Sequence, residues 1–148
     1  MAVGGHLRAG ETLGDAVREC EEEIGLAASL ADLVRLGRRF ARGTSPPDNE
    51  LQEVFALRSD RQFEAYRLHP DEVDAVVRVP LDAALALFER RIAATQGVEL
   101  PRGNTAQRPV AIAIGDFAAG ERDGYPARAL RGLTDVVART PPEPFDLR

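Results

Sequence analysis

The stretch that most constrains this chain is Gly4 to Leu26, GGHLRAGETLGDAVRECEEEIGL, a glycine-rich turn running directly into a segment crowded with glutamates. Gly4, Gly5 and Gly10 frame a short polar segment, so the backbone there has access to conformations closed to other residues and can approach a ligand closely. A helix is expected to start at Thr12, whose hydroxyl suits an N-cap, with Asp15 supplying the carboxylate half of a capping box. Leu13, Val17, Cys20 and Ile24 recur at helical spacing and mark the side that faces the core. Gly25 stands where a left-handed cap is wanted.

Glu19, Glu22 and Glu23 fall at i, i+3 and i+4 of this helix, so their carboxylates project from one flank, away from the apolar side. Like charges at that spacing repel, and a cation held among them accounts for the arrangement economically; a solvated acidic face is the competing reading. Oxygen-only ligands select a hard ion, Mg²⁺ or Mn²⁺, which keeps some waters and shares its remaining positions with phosphate oxygens. Arg18 is within reach of Glu21 or Glu22 and can fix a carboxylate in its working orientation.

The stretch resembles the Nudix box, G-x5-E-x7-R-E-U-x-E-E-x-G-U with U a bulky apolar residue, through Gly5, Glu11, Arg18, Glu19, Cys20, Glu22, Glu23, Gly25 and Leu26. Six residues rather than seven separate Glu11 from Arg18, which shortens the loop or delays the helix, while the second half of the motif is intact. The resemblance implies an α/β fold, the Nudix-type α/β/α sandwich with a mixed sheet, and metal-dependent hydrolysis of a nucleoside diphosphate linked to another group. It implies Glu19, Glu22 and Glu23 as metal ligands, the Gly4 carbonyl as a further ligand, a catalytic part for Glu22, and orienting parts for Arg18 and Glu11. In Nudix domains several strands precede the box, whereas here only Met1-Ala2-Val3 does. The amino-terminal strands are therefore expected to be missing, through a truncated product or a late start, or to be borrowed from a partner; a homodimer is a separate expectation.

GGHLRAGE is also similar to the turn of isopentenyl-diphosphate isomerase, a Nudix-fold enzyme with a catalytic cysteine and a metal-binding histidine there. Gly4 occupies the cysteine position, which removes the thiol that isomerisation uses. His6 matches the metal histidine, and Asp48-Asn49-Glu50 resembles the isomerase's Glu-Asn-Glu. An isomerase-like enzyme and an inactive diphosphate-binding or regulatory module are accordingly the rivals to a hydrolase.

Past the helix, Leu33–Arg42 reads as a strand with Gly37 a bulge or close approach, 43–49 as a loop, and Glu50–Arg58 as its antiparallel hairpin partner. Arg38 and Arg39, with Arg35 and Arg42, are candidates for substrate phosphates, although arginines on a strand's wet face are the plainer reading. Hydrolysis needs a base for the attacking water, and Glu50, then Glu53, are the carboxylates outside the box best suited to it. Glu72 precedes a strand over Val73–Val79 and an amphipathic helix over Leu81–Arg91, the order in which a Nudix core ends; His69 reads as a turn residue. The expected organisation is a Nudix core over 1–91 and an extension over 92–148 packed on it. In the extension 96–107 reads as loop, Pro109–Ile114 as a strand, the helix to Arg139 as carrying a stripe of Leu130, Leu133 and Val137, and the proline-rich end as frayed.

Composition narrows the function classes. The 148 residues suit one domain, and 44% hydrophobic with 29% charged is an ordinary globular balance. A net charge of −5 argues against a broad nucleic-acid surface, and no apolar run is long enough for a membrane span, so a cytoplasmic protein is expected; a small-molecule diphosphate as its partner is what the resemblance implies. The lone cysteine, Cys20, cannot form an internal disulfide and reads as a core residue.

Overall fold

Local signals at the start of the chain fold as written, with one break. The computed structural model describes residues 3–4, 7, 10–42, 49–103, 106–117 and 124–147. Asp15 Oδ2 accepts the Thr12 N–H and the Thr12 hydroxyl, each at 2.8 Å, so the carboxylate half of the cap is made. The single helix expected from Thr12 to Gly25 is divided at Arg18 into α1 (Leu13–Val17) and α2 (Glu19–Ile24). Arg18 keeps helical dihedrals, φ −60° and ψ −28°, but its N–H bonds the Asp15 carbonyl at 3.2 Å, an i to i−3 bond that tightens the turn. The Arg18 side chain competes for the same oxygen, donating from Nε at 3.2 Å.

Strand β1 (Leu33–Arg42) follows a short turn capped by Ser29 and Asp32, and β2 (Asn49–Leu57) returns beside it. Next come β3 (Ala75–Arg78), α3 (Leu81–Phe88), β4 (Ala94–Pro101), β5 (Arg108–Ala113), α4 (Tyr125–Val137) and β6 (Phe145–Leu147). The strands form two sheets in the orders β2-β1-β6 and β3-β4-β5, the first of them mixed. This is the mixed α/β make-up expected of the Nudix fold. No helix among the described residues is long and apolar enough to cross a membrane.

The chain divides into two units, each assembled from separated stretches: Met1–Leu33, Arg58–Arg78 and Gly97–Val110 make the first, and Val34–Leu57, Val79–Gln96 and Ala111–Arg148 the second. The core of the first gathers Ile24 from α2, Phe63, Val76 from β3 and Leu100 from β4, with Leu26, Tyr66 and Val98 packed against them. Its strands pair antiparallel, Ala75 opposite Pro101 and Arg78 opposite Val98. The loop expected over 96–107 is therefore a strand as far as Pro101. Gly97 and Pro101 read as breakers, yet Pro101 ends the strand, where a missing N–H costs least.

In the second unit α3 packs on α4, and Leu36 and Leu87 are its most deeply buried large side chains. Glu89, just past α3, accepts bonds from Arg131 of α4 at 2.6 Å and Arg91 at 2.7 Å, which together hold its carboxyl below the ordinary glutamate range. The α4 stripe holds in part: Leu130 and Leu133 are half-buried, but Val137 is 74% exposed, and the most buried positions are the small residues Ala127 and Gly132. Leu36 accounts for the glycine, because it lies so close that a Cβ on Gly132 would stand 3.1 Å from its Cδ2. The chain end expected to fray instead docks as β6, parallel to β1, with Gly37, Arg38 and Arg39 opposite Phe145, Asp146 and Leu147. Arg38 clasps Asp146 at 2.9 Å from one guanidinium nitrogen and 3.2 Å from another.

Candidate functional site

The acidic helix is placed by what happens at its end. Gly25 takes φ 67°, and the N–H groups of Gly25 and Leu26 bond the carbonyls of Glu21 and Cys20, each at 2.9 Å. The segment after Tyr66 satisfies the last carbonyls: Arg67 N–H bonds Ile24 at 3.0 Å and His69 N–H bonds Glu23 at 2.8 Å. The Arg61 guanidinium also donates to the Gly25 carbonyl. Only glycine fits here, since a Cβ would lie 2.8 Å from that of Arg67 and the backbone is left-handed.

This docking gives α2 neighbours that periodicity could not foresee. Glu23 is half-buried, and burial, then the Glu19 and Glu72 carboxylates, push it above the ordinary glutamate range, with His69 pulling the other way. His69 Nδ1 accepts the Asp71 N–H at 3.3 Å and lies 3.9 Å from the Glu72 carboxylate. Burial, then the Glu23 and Glu19 carboxylates, raise the Cys20 thiol, which keeps it protonated, as befits a core residue. Glu22 and Glu21 are exposed, and Glu11 is half-buried ahead of α1. Gly4 is exposed and faces open space; Gly5, His6 and Asp48 lie outside the described residues. Among the described residues no three His, Cys, Asp or Glu side chains close on a common point to form a metal cage. Oxygen donors of this kind suit a hard divalent ion, and at Glu23, raised first by burial and then by Glu19 and Glu72, a positive charge would favour the ionised form.

The remaining candidates belong to the second unit. Arg38 is ion-paired to Asp146, and Glu53 is paired at 2.9 Å to Arg35, with both partners well exposed. Arg39 differs sharply, at 5% exposed. Its Nε donates to Gln52 Oε1 at 2.6 Å, its guanidinium carbon lies 4.1 Å from the centre of the Tyr125 ring, and Gln52 Nε2 donates to Glu50 Oε2 at 2.7 Å. The sequence did not single out Gln52 or Tyr125. The only signal for Gln52 was its place two residues after Glu50, on the same face of a strand. Glu19, Glu22 and Glu23 thus share one short helix of the first unit, while Glu50, Arg39 and Gln52 form one connected network in the second.

Comparison with known proteins agrees with the helix motif. The chain is 30% identical over 95 residues, 62% of its length, to an uncharacterised Nudix hydrolase of Clostridium acetobutylicum. That alignment takes in 46% of the relative, so the chain spans less than half of that protein's length. No solved structure matches the chain significantly. The NUDIX domain signature matches residues 2–97, which contain the glycine turn, both short helices and the β1 and β2 strands, and the chain belongs to the Nudix family.

Proposed function

We propose that this chain is a metal-dependent hydrolase that cleaves a diphosphate linkage in a nucleoside diphosphate derivative. The observation that carries the reading is the intact second half of the motif, Arg18 to Leu26, set on α2 with the Glu23 carboxylate crowded by Glu19 and Glu72. Glu19, Glu22 and Glu23, with the Gly4 carbonyl and His6, would hold Mg²⁺ or Mn²⁺, and Arg18 and Glu11 would orient them. Such an ion screens diphosphate oxygens and stabilises the leaving phosphate.

The protein's own residues supply the rest. Glu50 takes the proton of the attacking water as a new oxygen–phosphorus bond forms and the bridging phosphorus–oxygen bond breaks, releasing two phosphate-bearing products. Arg38, which is partly exposed, would exchange Asp146 for a substrate phosphate. The small-molecule diphosphate is the only partner the reading requires. Incubating the full chain with a panel of nucleotide sugars and dinucleoside polyphosphates tests it: cleavage products are expected with Mg²⁺ and none with EDTA. Binding of those compounds without turnover would contradict a hydrolase.

A further inference from the structure

A charge as deeply buried as Arg39 is tolerated only where hydrogen bonds and an opposite charge answer it. We propose that Arg39 and Gln52 are positioning residues for Glu50, and that the Arg39–Gln52–Glu50 chain makes Glu50, rather than Glu53, the group that handles the water proton. The inference rests on the hydrolase reading above.

Direction is built into this chain. A guanidinium can only donate, so the Gln52 amide must turn its oxygen to Arg39, at 2.6 Å. Its nitrogen then has to face an acceptor, and the acceptor is the Glu50 carboxylate at 2.7 Å. The amide cannot flip without setting donor against donor at one end and acceptor against acceptor at the other. Both bonds are short, and each has an ionised group at one end, the kind of bond that strengthens in a partly dry setting. The Tyr125 ring holds the guanidinium from its face, which leaves Arg39 little freedom to turn away. Glu53 has no comparable support: its partner, Arg35, is 44% exposed at the side chain, and Glu53 itself is 36% exposed. A base must be oriented before it meets water, and only Glu50 is oriented from the interior.

Gln52→Glu separates positioning from simple support, because a carboxylate at this position still accepts from Arg39 but can no longer donate to Glu50. With UDP-glucose and diadenosine tetraphosphate as probes and Mg²⁺ present, the full-length variant is expected to melt like the parent and to lose about 10- to 100-fold in kcat with little change in KM. In a Glu50→Gln background the same substitution should cost nothing further. Parental kcat in Gln52→Glu, or a loss that persists in full beside Glu50→Gln, overturns the proposal while leaving the hydrolase reading in place. Full turnover in Glu50→Gln alone removes both the base and its positioning chain. Independently of turnover, the Gln52 side-chain amide protons should exchange slowly with solvent and shift in the NMR spectrum of Glu50→Ala. Protons that exchange freely and stay put in that variant would overturn the chain of bonds itself.

Discussion

Glu22→Gln is expected to lower kcat/KM by about 100-fold or more while leaving the melting temperature where it is. The two halves of that expectation have different origins. Glu22 is exposed on a short helix and its side chain makes no contact that the core depends on, so removing its charge costs the fold little. As a ligand to the ion it would contribute charge where the diphosphate needs it neutralised, and a 100-fold loss corresponds to about 2.7 kcal/mol of transition-state stabilisation. Glu21→Gln is the matched control. It is equally an exposed α2 glutamate, but it occupies the variable position of the motif, and its kcat/KM should stay at the parental value. Equal losses in the two variants would mean that overall negative charge, not a ligand set, is what the helix contributes.

Gly37→Val should be the most damaging single substitution to the fold. A Cβ at this position would lie 2.4 Å from the Phe145 carbonyl oxygen and 2.6 and 2.7 Å from its ring atoms. The first of these is backbone, so relief requires β6 to move off β1. Overpacking of this kind costs about 3 kcal/mol, and the residue's φ of 156° adds to it. For a chain of 148 residues that is a fall in Tm of about 6 to 12 °C. Faster hydrogen exchange at Phe145 to Leu147 should accompany it, since their parallel pairing with Gly37 to Arg39 is what is lost. An unchanged Tm with unchanged exchange would show that β6 contributes nothing to the second unit.

The features legible in the sequence were those written in neighbouring residues. The cap at Thr12 and Asp15, the stop at Gly25, and the helical run that carries Glu19, Glu22 and Glu23 are all set within a few positions of the chain, and β1 runs over the range its pattern indicated. All but one of the misreadings are non-local. The prolines at the end of the chain signal fraying until a glycine elsewhere, Gly37, makes room for Phe145. Val98 and Leu100 sit between breakers, and only pairing with Val76 and Arg78 reveals them as strand. Leu130, Leu133 and Val137 look like a buried stripe, but Val137 is exposed while the first two are half-buried, and the close approach of Leu36 selects a glycine at 132 that no apolar stripe would show. Arginines spaced along a strand ordinarily face water, and nothing local distinguished Arg39 from its neighbours. Among the residues that lie against it are Tyr125, whose ring meets the guanidinium, and Leu147 of β6, both far away in the chain. The division of the helix at Arg18 is local yet escaped the periodicity, because a side chain bonding back to the Asp15 carbonyl leaves the apolar spacing untouched.

Everything proposed about catalysis requires a divalent ion at the carboxylates of α2, and Mn²⁺ reports its own position. Titrated into the full chain and followed by NMR, Mn²⁺ should broaden the amide signals of Glu19 to Gly25 first, and excess Mg²⁺ should restore them. Broadening centred elsewhere, or none at these residues while Mn²⁺ remains free in solution, would contradict the account.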